Sequence, residues 1–110
     1  MWLELFLDEA TVSTDEQSIS ARYTHWTKRR RNFKLALPDI IAIDAVQFES
    51  CIMALYLHGT DGYRRVIMED MQGWSNTLKF LMTHFGGFDR DAYEKAEKHI
   101  YETFRCWEGS

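Results

Sequence analysis

Apolar and polar positions change their period near the middle of the chain, between residues 63 and 85. Val66 and Met68 alternate with their neighbours, as in a strand whose two faces differ in burial. From residue 74 onward, apolar side chains recur every three or four positions, which places them on one face of a helix: Trp74, Leu78, Leu81 and Phe85. The pattern predicts a strand that continues into a helix over 71–85, with Asp70 as its N-cap.

Five further strands are predicted upstream of this transition, from alternating or β-branched stretches. They cover residues 2–7, 18–24, 33–37, 39–48 and 51–58. The polar segment 8–17 predicts a connection. Because the loops are too short for parallel crossovers, we expect antiparallel pairing among the strands within residues 1–69.

A second amphipathic helix is predicted over 89–107. Asp89 suits an N-cap, and Asp91 with Lys95 forms a favourable i,i+4 pair. The side chains of its stripe recur at spacings of three and four: Ala92, Ala96, Ile100, Thr103, Phe104 and Trp107. The chain is thus expected to end in a capping helix, 71–85, and a C-terminal helix.

The composition is that of a folded protein, with 110 residues of which 45% are hydrophobic and 15% aromatic. This length suits a single domain over 1–110. Cys51 and Cys106 lack the close spacing of a metal knuckle or a disulfide framework, so we expect reduced thiols. The N-terminal segment carries acids instead of a positive charge, and its apolar run is too short to span a membrane. We therefore expect a cytoplasmic protein without a transmembrane segment.

Charge is distributed unevenly around the formal net charge of −4. Residues 1–21 contain acids and no basic residue, whereas residues 22–34 contain six basic residues and no acid. Neutralising nucleic-acid phosphates rewards a broad basic surface, so an acidic domain with one basic patch is a poor candidate for that partner. We expect no nucleic-acid binding, while a local anion site fits the pattern.

Three features occur together: an F-x-L-x-L-P-x-x-I pattern, a glycine-bounded hairpin, and a strand that enters an amphipathic helix. The residues that carry them are Phe33, Leu35, Leu37, Pro38, Ile41, Ile43, the 59–62 turn, Trp74, Leu78 and Leu81. This combination, over residues 1–85, resembles the pleckstrin-homology-like (PH-like) domains of small bacterial proteins. The family usually has seven strands where six are predicted here, and the helix over 89–107 is additional.

The resemblance implies an α+β fold, namely a six- to seven-stranded antiparallel bent sheet or partly open barrel followed by two C-terminal helices. It also implies a binding module and not an enzyme, because such domains host lipid, peptide and protein recognition. Fold alone does not determine which of these applies.

The basic hairpin is the sharpest candidate site. It contains Lys28, Arg29, Arg30, Arg31 and Lys34. PH domains that bind phosphoinositides hold the phosphates with a basic hairpin of similar composition, so the resemblance implies an anionic lipid or phosphate ligand here. Two alternatives remain: contact with an acidic protein partner, and a solvated turn whose charges oppose edge-to-edge aggregation.

Aromatic side chains outside the expected core form a second candidate site. We single out Trp26, Tyr93, Tyr101 and Trp107, because tryptophan and tyrosine anchor many protein interfaces. Tyr93, Tyr101 and Trp107 fall on the helix predicted over 89–107, where an exposed aromatic cluster would mark a partner surface or a dimer interface.

Signals for catalysis or metal binding are weak. The best-spaced pair of metal ligands, His99 and Cys106, is seven residues apart, and Ser75 does not lie in a nucleophile elbow. We expect no enzyme, no metal and no cofactor.

The sequence therefore predicts a non-catalytic interaction module that binds a protein partner or itself. By analogy with small acidic bacterial proteins, a neutralising partner of a basic toxin is one such role. The alternative is binding of an anionic membrane surface or a phosphate ligand through the hairpin 28–34.

Overall fold

The structure is a computed structural model that describes residues 10–24 and 31–109. In these ranges the chain forms seven strands, two α-helices and one short 3-10 helix. In chain order they are β1 Ala10–Thr14, β2 Ser18–Tyr23, β3 Phe33–Ala36, the 3-10 helix Leu37–Asp39, β4 Ile40–Gln47, β5 Met53–Gly59, β6 Arg64–Met68, α1 Trp74–His84, α2 Arg90–Ala96 and β7 Phe104–Glu108.

The described strands form two antiparallel sheets. The first has three strands in the order β1-β2-β3, and the second has four in the order β6-β5-β4-β7. The predicted α+β class and antiparallel pairing are confirmed. The strand count is not confirmed, and two sheets stand in place of the one bent sheet or partly open barrel that we expected. The PH-like resemblance stays a prediction.

Alternation along the strands of the second sheet explains the position of the core. Ile43 and Ala45 of β4 lie opposite Leu57 and Leu55 of β5, and all four side chains are fully buried. Residues one position along point to the other face of the sheet. Both helices and the three-stranded sheet contribute to the same apolar cluster, through residues that include Val12, Ile19, Leu35, Leu81, Tyr93 and Ala96.

The predicted α1 is confirmed, but it begins later than expected and has a different cap. Gly73, in the left-handed conformation, is the N-cap, and Asp70 lies in the preceding turn. The reason is a junction with β1: the Val12 amide donates to the Gln72 carbonyl at 2.8 Å, and the Gln72 amide donates to the Ala10 carbonyl at 2.9 Å. These bonds tie Gln72 to β1, and the helix begins only after Gly73.

The prediction of one helix over 89–107 is wrong. The helix α2 ends at Ala96, and the last segment is the strand β7, paired antiparallel with β4. Tyr101 has a φ of 65°, and its amide donates to the Gln47 carbonyl at 2.8 Å, so the chain turns back to the sheet. The i,i+4 pairs that favour a longer helix contribute only about 0.2–0.5 kcal/mol each, less than a full strand pairing on an open sheet edge.

The expectation of a strand-free connection over 8–17 is also wrong, because β1 lies within it. Val12 is buried between exposed Thr11 and Ser13, so the alternation is present but carried by a single large apolar residue. Asp15 closes the hairpin to β2, since its Oδ1 accepts from the amide of Ser18 at 2.8 Å. The strand predicted over 2–7 lies outside the described residues.

Replacing Gly73 by alanine is expected to destabilise the protein more than the same change at Gly87. Both glycines have positive φ, 92° and 84°, and a side chain there costs about 1–2 kcal/mol. A Cβ at Gly73 would also lie 2.1 Å from the Val12 carbonyl oxygen, whereas one at Gly87 would meet no atom within 4 Å. Chemical denaturation should give a loss of about 3 kcal/mol or more for Gly73→Ala. Equal losses for the two variants would contradict the junction with β1.

Candidate ligand-binding cleft

A cleft of about 630 Å³ runs along β6, between this strand and the end of the β2–β3 hairpin where β2 leaves the sheet and β3 begins. Its lining residues are Tyr23, Arg31, Asn32, Phe33, Phe48, Tyr56, Arg64, Arg65, Val66 and Met68. Arg64, Val66 and Met68 project from one face of β6, and Arg65 projects from the other. The cleft therefore follows the outer edge of the strand. We call it the basic–aromatic cleft.

The aromatic part of the lining arises where strand alternation continues past the core. Tyr23 follows the buried Ile19 and Ala21 on the inner face of β2, and Phe33 precedes the buried Leu35 on β3. At this end of the sheet the inner face is only half covered, so both rings are half-buried. The strand alternation of β2 and β3 thus continues unchanged, but its last inward-facing side chains line the cleft and are accessible to a ligand.

Asn32 fixes the local geometry of the hairpin end. Its Oδ1 accepts from the backbone amide of Tyr23 at 2.6 Å, which joins the end of β2 to the start of β3. On the other wall, Tyr56 of β5 and Val66 of β6 are paired neighbours in the ladder between these two strands. The walls of the cleft are therefore built on paired strands.

Of the three arginines that line the cleft, Arg65 is paired with a carboxylate and Arg64 with an aromatic ring. Arg65 donates to both carboxylate oxygens of Asp61, at 2.8 and 2.6 Å. These bonds lower the pKa of Asp61 to about 2 and raise the pKa of Arg65. The Arg64 guanidinium instead stacks 4.1 Å from the centre of the Tyr56 ring, a cation–π contact that leaves its N–H groups available. Arg65 is neutralised, and Arg64 is not.

Arg31 is the third arginine, and it is exposed two residues before β3 begins. Within residues 10–24 and 31–109, neither Arg31 nor Arg64 forms an ion pair. The cleft thus combines unneutralised positive charge with half-buried aromatic rings. Such a surface can hold an anionic group beside an apolar one.

The structure brings one of the predicted anion-site residues, Arg31, into the cleft. Lys34 is exposed on β3 opposite Ser20 and does not line it. Lys28, Arg29 and Arg30 lie outside the described residues.

Sequence reasoning missed Arg64 and the aromatic lining. The available signal was the Arg64-Arg65 pair next to the hairpin turn. Because successive side chains of a strand point to opposite faces, a partner that neutralises one arginine on one face leaves the other available on the opposite face.

The predicted aromatic interface is corrected by the structure, since its residues do not share one helical face. Tyr93 is only 8% exposed and belongs to the core. Trp107 lies on β7, donates from Nε1 to the Gly86 carbonyl at 3.1 Å and is half-buried. Tyr101 is 60% exposed and donates from its hydroxyl to Glu49 Oε2 at 3.1 Å. Trp26 lies outside the described residues.

A polar network crosses the same face of the four-stranded sheet as Tyr56 and Arg64. The buried Asp44 of β4 accepts from Arg105 Nε of β7 through Oδ1, and its Oδ2 lies 2.8 Å from His58 Nε2 of β5. Arg105 also contacts Glu108. Its pKa is raised by the hydrogen bond with Asp44. The network connects three neighbouring strands through one carboxylate.

His99 and Cys106, the best-spaced pair of candidate metal ligands in the sequence, do not lie on one helix. His99 follows α2 and lies 3.7 Å from Glu102, whereas Cys106 is buried in β7. In the part of the chain that the structure describes, no three His, Cys, Asp or Glu side chains converge on a common point that could hold a metal ion. Both cysteines there are free thiols, and Cys51 is exposed.

Comparison with protein-family models finds no match for this chain. Comparisons with curated proteins and with solved structures likewise find no significant match. Within residues 10–24 and 31–109, no helix has both the length and the apolar character needed to cross a bilayer.

Asp44→Asn is expected to lower the free energy of unfolding by about 1–3 kcal/mol, because Arg105 and His58 both lose a charged acceptor that is 7% exposed. The matched control is Glu16→Gln in an exposed turn, with an expected change within about 0.5 kcal/mol. Urea denaturation measures both. Equal small changes would show that β7 does not depend on Asp44.

Iodoacetamide at pH 8 is expected to label Cys51 in the folded protein and to spare Cys106. Cys106 is 2% exposed, and burial raises the pKa of its thiol to about 12, so the reactive thiolate is scarce. Mass spectrometry of the labelled protein should locate the adduct, and guanidinium should make both sites reactive. Labelling of folded Cys51→Ser would contradict the buried position of β7.

Proposed function

We propose that the protein is a non-catalytic binding module that recognises an acidic segment of a partner protein in the basic–aromatic cleft. The observation that carries this proposal is the position of Arg31 and Arg64, which line the cleft without an ion pair in the described residues. The proposal keeps the function class expected from the sequence and retains Arg31 of the basic segment 28–34, but it moves the rest of the binding surface from the last helix to β6.

The composition of the lining favours a partner with both anionic and apolar side chains. Arginine and aromatic residues are the side chains enriched at the energetic centres of protein interfaces. Phe33, Phe48 and Tyr56 present half-buried rings, and the Arg64 guanidinium lies over the ring of Tyr56. A carboxylate of the partner can bond to the guanidinium while a neighbouring apolar side chain covers a ring.

The net charge of −4 does not oppose such a partner strongly. At physiological ionic strength, exposed charges more than about 8 Å apart are largely screened from each other. The arginines of the cleft are in direct contact with a bound ligand, whereas acids elsewhere on the surface are screened. Local charge therefore determines which ligand is accepted.

An anionic phosphate ligand is the second candidate function, and Arg31 is the observation that favours it. This residue belongs by sequence to the basic segment 28–34, whose described basic members, Arg31 and Lys34, are both exposed. A phosphate group could come from a lipid headgroup or from a free phosphorylated compound. Vesicles and inorganic phosphate separate these two sources.

Arg64→Glu is expected to weaken binding of an acidic probe peptide by tenfold or more. The probe is a fluorescein-labelled peptide of alternating glutamate and valine, and fluorescence anisotropy measures its Kd. Loss of one charge-assisted contact of about 1.5–3 kcal/mol already corresponds to at least a tenfold change, and charge reversal adds repulsion. Arg90→Glu, an exposed arginine on α2 outside the cleft, is the matched control and should bind like wild type.

Parallel titrations use phosphatidylserine-containing vesicles and inorganic phosphate. Binding of vesicles without binding of the peptide would replace the protein partner by a lipid surface. Equal weakening by Arg64→Glu and Arg90→Glu would reduce the effect to net charge and contradict a role for the cleft.

A further inference from the structure

The backbone of β6 provides a hydrogen-bonding edge inside the basic–aromatic cleft. In the hairpin with β5, the Gly59 amide donates to the Tyr63 carbonyl at 3.0 Å, and the Glu69 amide donates to the Met53 carbonyl at 2.8 Å. Hydrogen-bonded and non-hydrogen-bonded pairs alternate along an antiparallel ladder. The register then makes Leu57 with Arg65 a hydrogen-bonded pair.

The intervening residues of β6 belong to non-hydrogen-bonded pairs. Arg64 lies opposite His58, and Val66 lies opposite Tyr56. Their amides and carbonyls therefore point away from β5, toward the outer edge of the strand. Met68 agrees with this parity, because its amide points at Met71 Sδ, 3.5 Å away, and its carbonyl accepts from the Met71 amide at 3.0 Å.

The free edge is short and has defined limits. At Met68 the outward amide and carbonyl are already occupied by Met71, in the turn that follows β6. Beyond this turn, Gln72 pairs with β1. In the described part of the chain, β6 pairs only with β5, and the outward amides and carbonyls of Arg64 and Val66 have no hydrogen-bond partner. Two donors and two acceptors are thus presented in alternation over about 7 Å.

The side chains beside this edge select what can bind to it. Arg64 and Val66 project into the same cleft as Phe48 and Tyr56, and Arg31 lies on the opposite wall. A strand added to β6 places alternate side chains on the two faces of the extended sheet. On the face of Arg64, an acidic residue meets the unpaired guanidinium, and an apolar residue two positions away meets the aromatic rings.

We propose that the partner's acidic segment binds as an additional β-strand on the outer edge of β6, with its backbone bonded to Arg64 and Val66. The inference rests on the function proposed above and specifies its mode of recognition. Main-chain bonds supply the register, and Arg31 and Arg64 select an acidic, extended sequence over a neutral or basic one.

Amide hydrogen exchange in the free protein tests the edge directly. Arg64 and Val66 should exchange quickly, whereas Arg65 and Ile67, whose amides face β5, should be protected. Adding the glutamate–valine probe peptide should slow exchange at Arg64 and Val66 at least tenfold. Protection of these two amides in the free protein would overturn the inference, because the edge would already be occupied.

Val66→Pro removes the outward donor while leaving the ladder with β5 intact, since a proline is tolerated where the amide faces outward on an edge strand. We expect a Tm near that of wild type and at least tenfold weaker peptide binding. Val66→Ala is the reference variant, because it also shortens the side chain but keeps the amide, and Val66→Pro should bind at least tenfold more weakly than Val66→Ala.

An N-methylated copy of the probe keeps the same side chains and lacks backbone donors, so it does not depend on the variant folding. We expect at least tenfold weaker binding of this copy. If both peptides bind equally and Arg64→Glu weakens both, the acidic-partner function stands and strand addition is wrong. If neither peptide binds to the wild-type protein, the proposed function fails and the strand-addition mode fails with it.

Discussion

Ile43, Ala45, Leu55 and Leu57 form the fully buried centre of the four-stranded sheet, and the other elements are arranged so that water is excluded from it. Full burial of a large aliphatic side chain contributes about 1.5–3 kcal/mol, so this layer outweighs any single polar contact in the molecule. The three-stranded sheet and both helices add their apolar residues to the same cluster. These covering elements pack against the sheet through side chains and do not pair with its edge strand. The outer edge of β6 is therefore unpaired among the described strands.

The candidate site lies where this buried layer ends. Tyr23 and Phe33 continue the inward alternation of their strands beyond the fully buried positions, so their rings line a cleft instead of a core. On β6, alternation separates two neighbouring arginines. One is neutralised by Asp61, and the other lies on Tyr56. The same strand thus supplies a stabilising ion pair on one face and an available cation on the other.

Asp44 also lies next to the buried layer and forms polar contacts with neighbouring strands. It lies one residue from the buried Ile43 and Ala45, on the opposite face of β4, and bonds to the strands on both sides. A carboxylate that is 7% exposed needs such partners, because burying an unpaired charge is strongly unfavourable. Its bond with Arg105 helps define where β7 joins the sheet, at the edge opposite β6.

The sequence by itself determined the elements whose pattern is local. Strands β2 to β6 and helix α1 were predicted within a few residues, because alternation and a helical stripe are visible in neighbouring side chains. It also identified Arg31 within a basic segment. Only the tertiary structure decided that 104–108 pairs with β4, that Val12 belongs to a strand, and that Arg31 and Arg64 line one aromatic cleft. The physical reason is that each of these depends on partners distant in the chain. The stripe over 92–107 fits a helix locally, and an open edge on β4 provides a competing set of hydrogen bonds that no local period reveals.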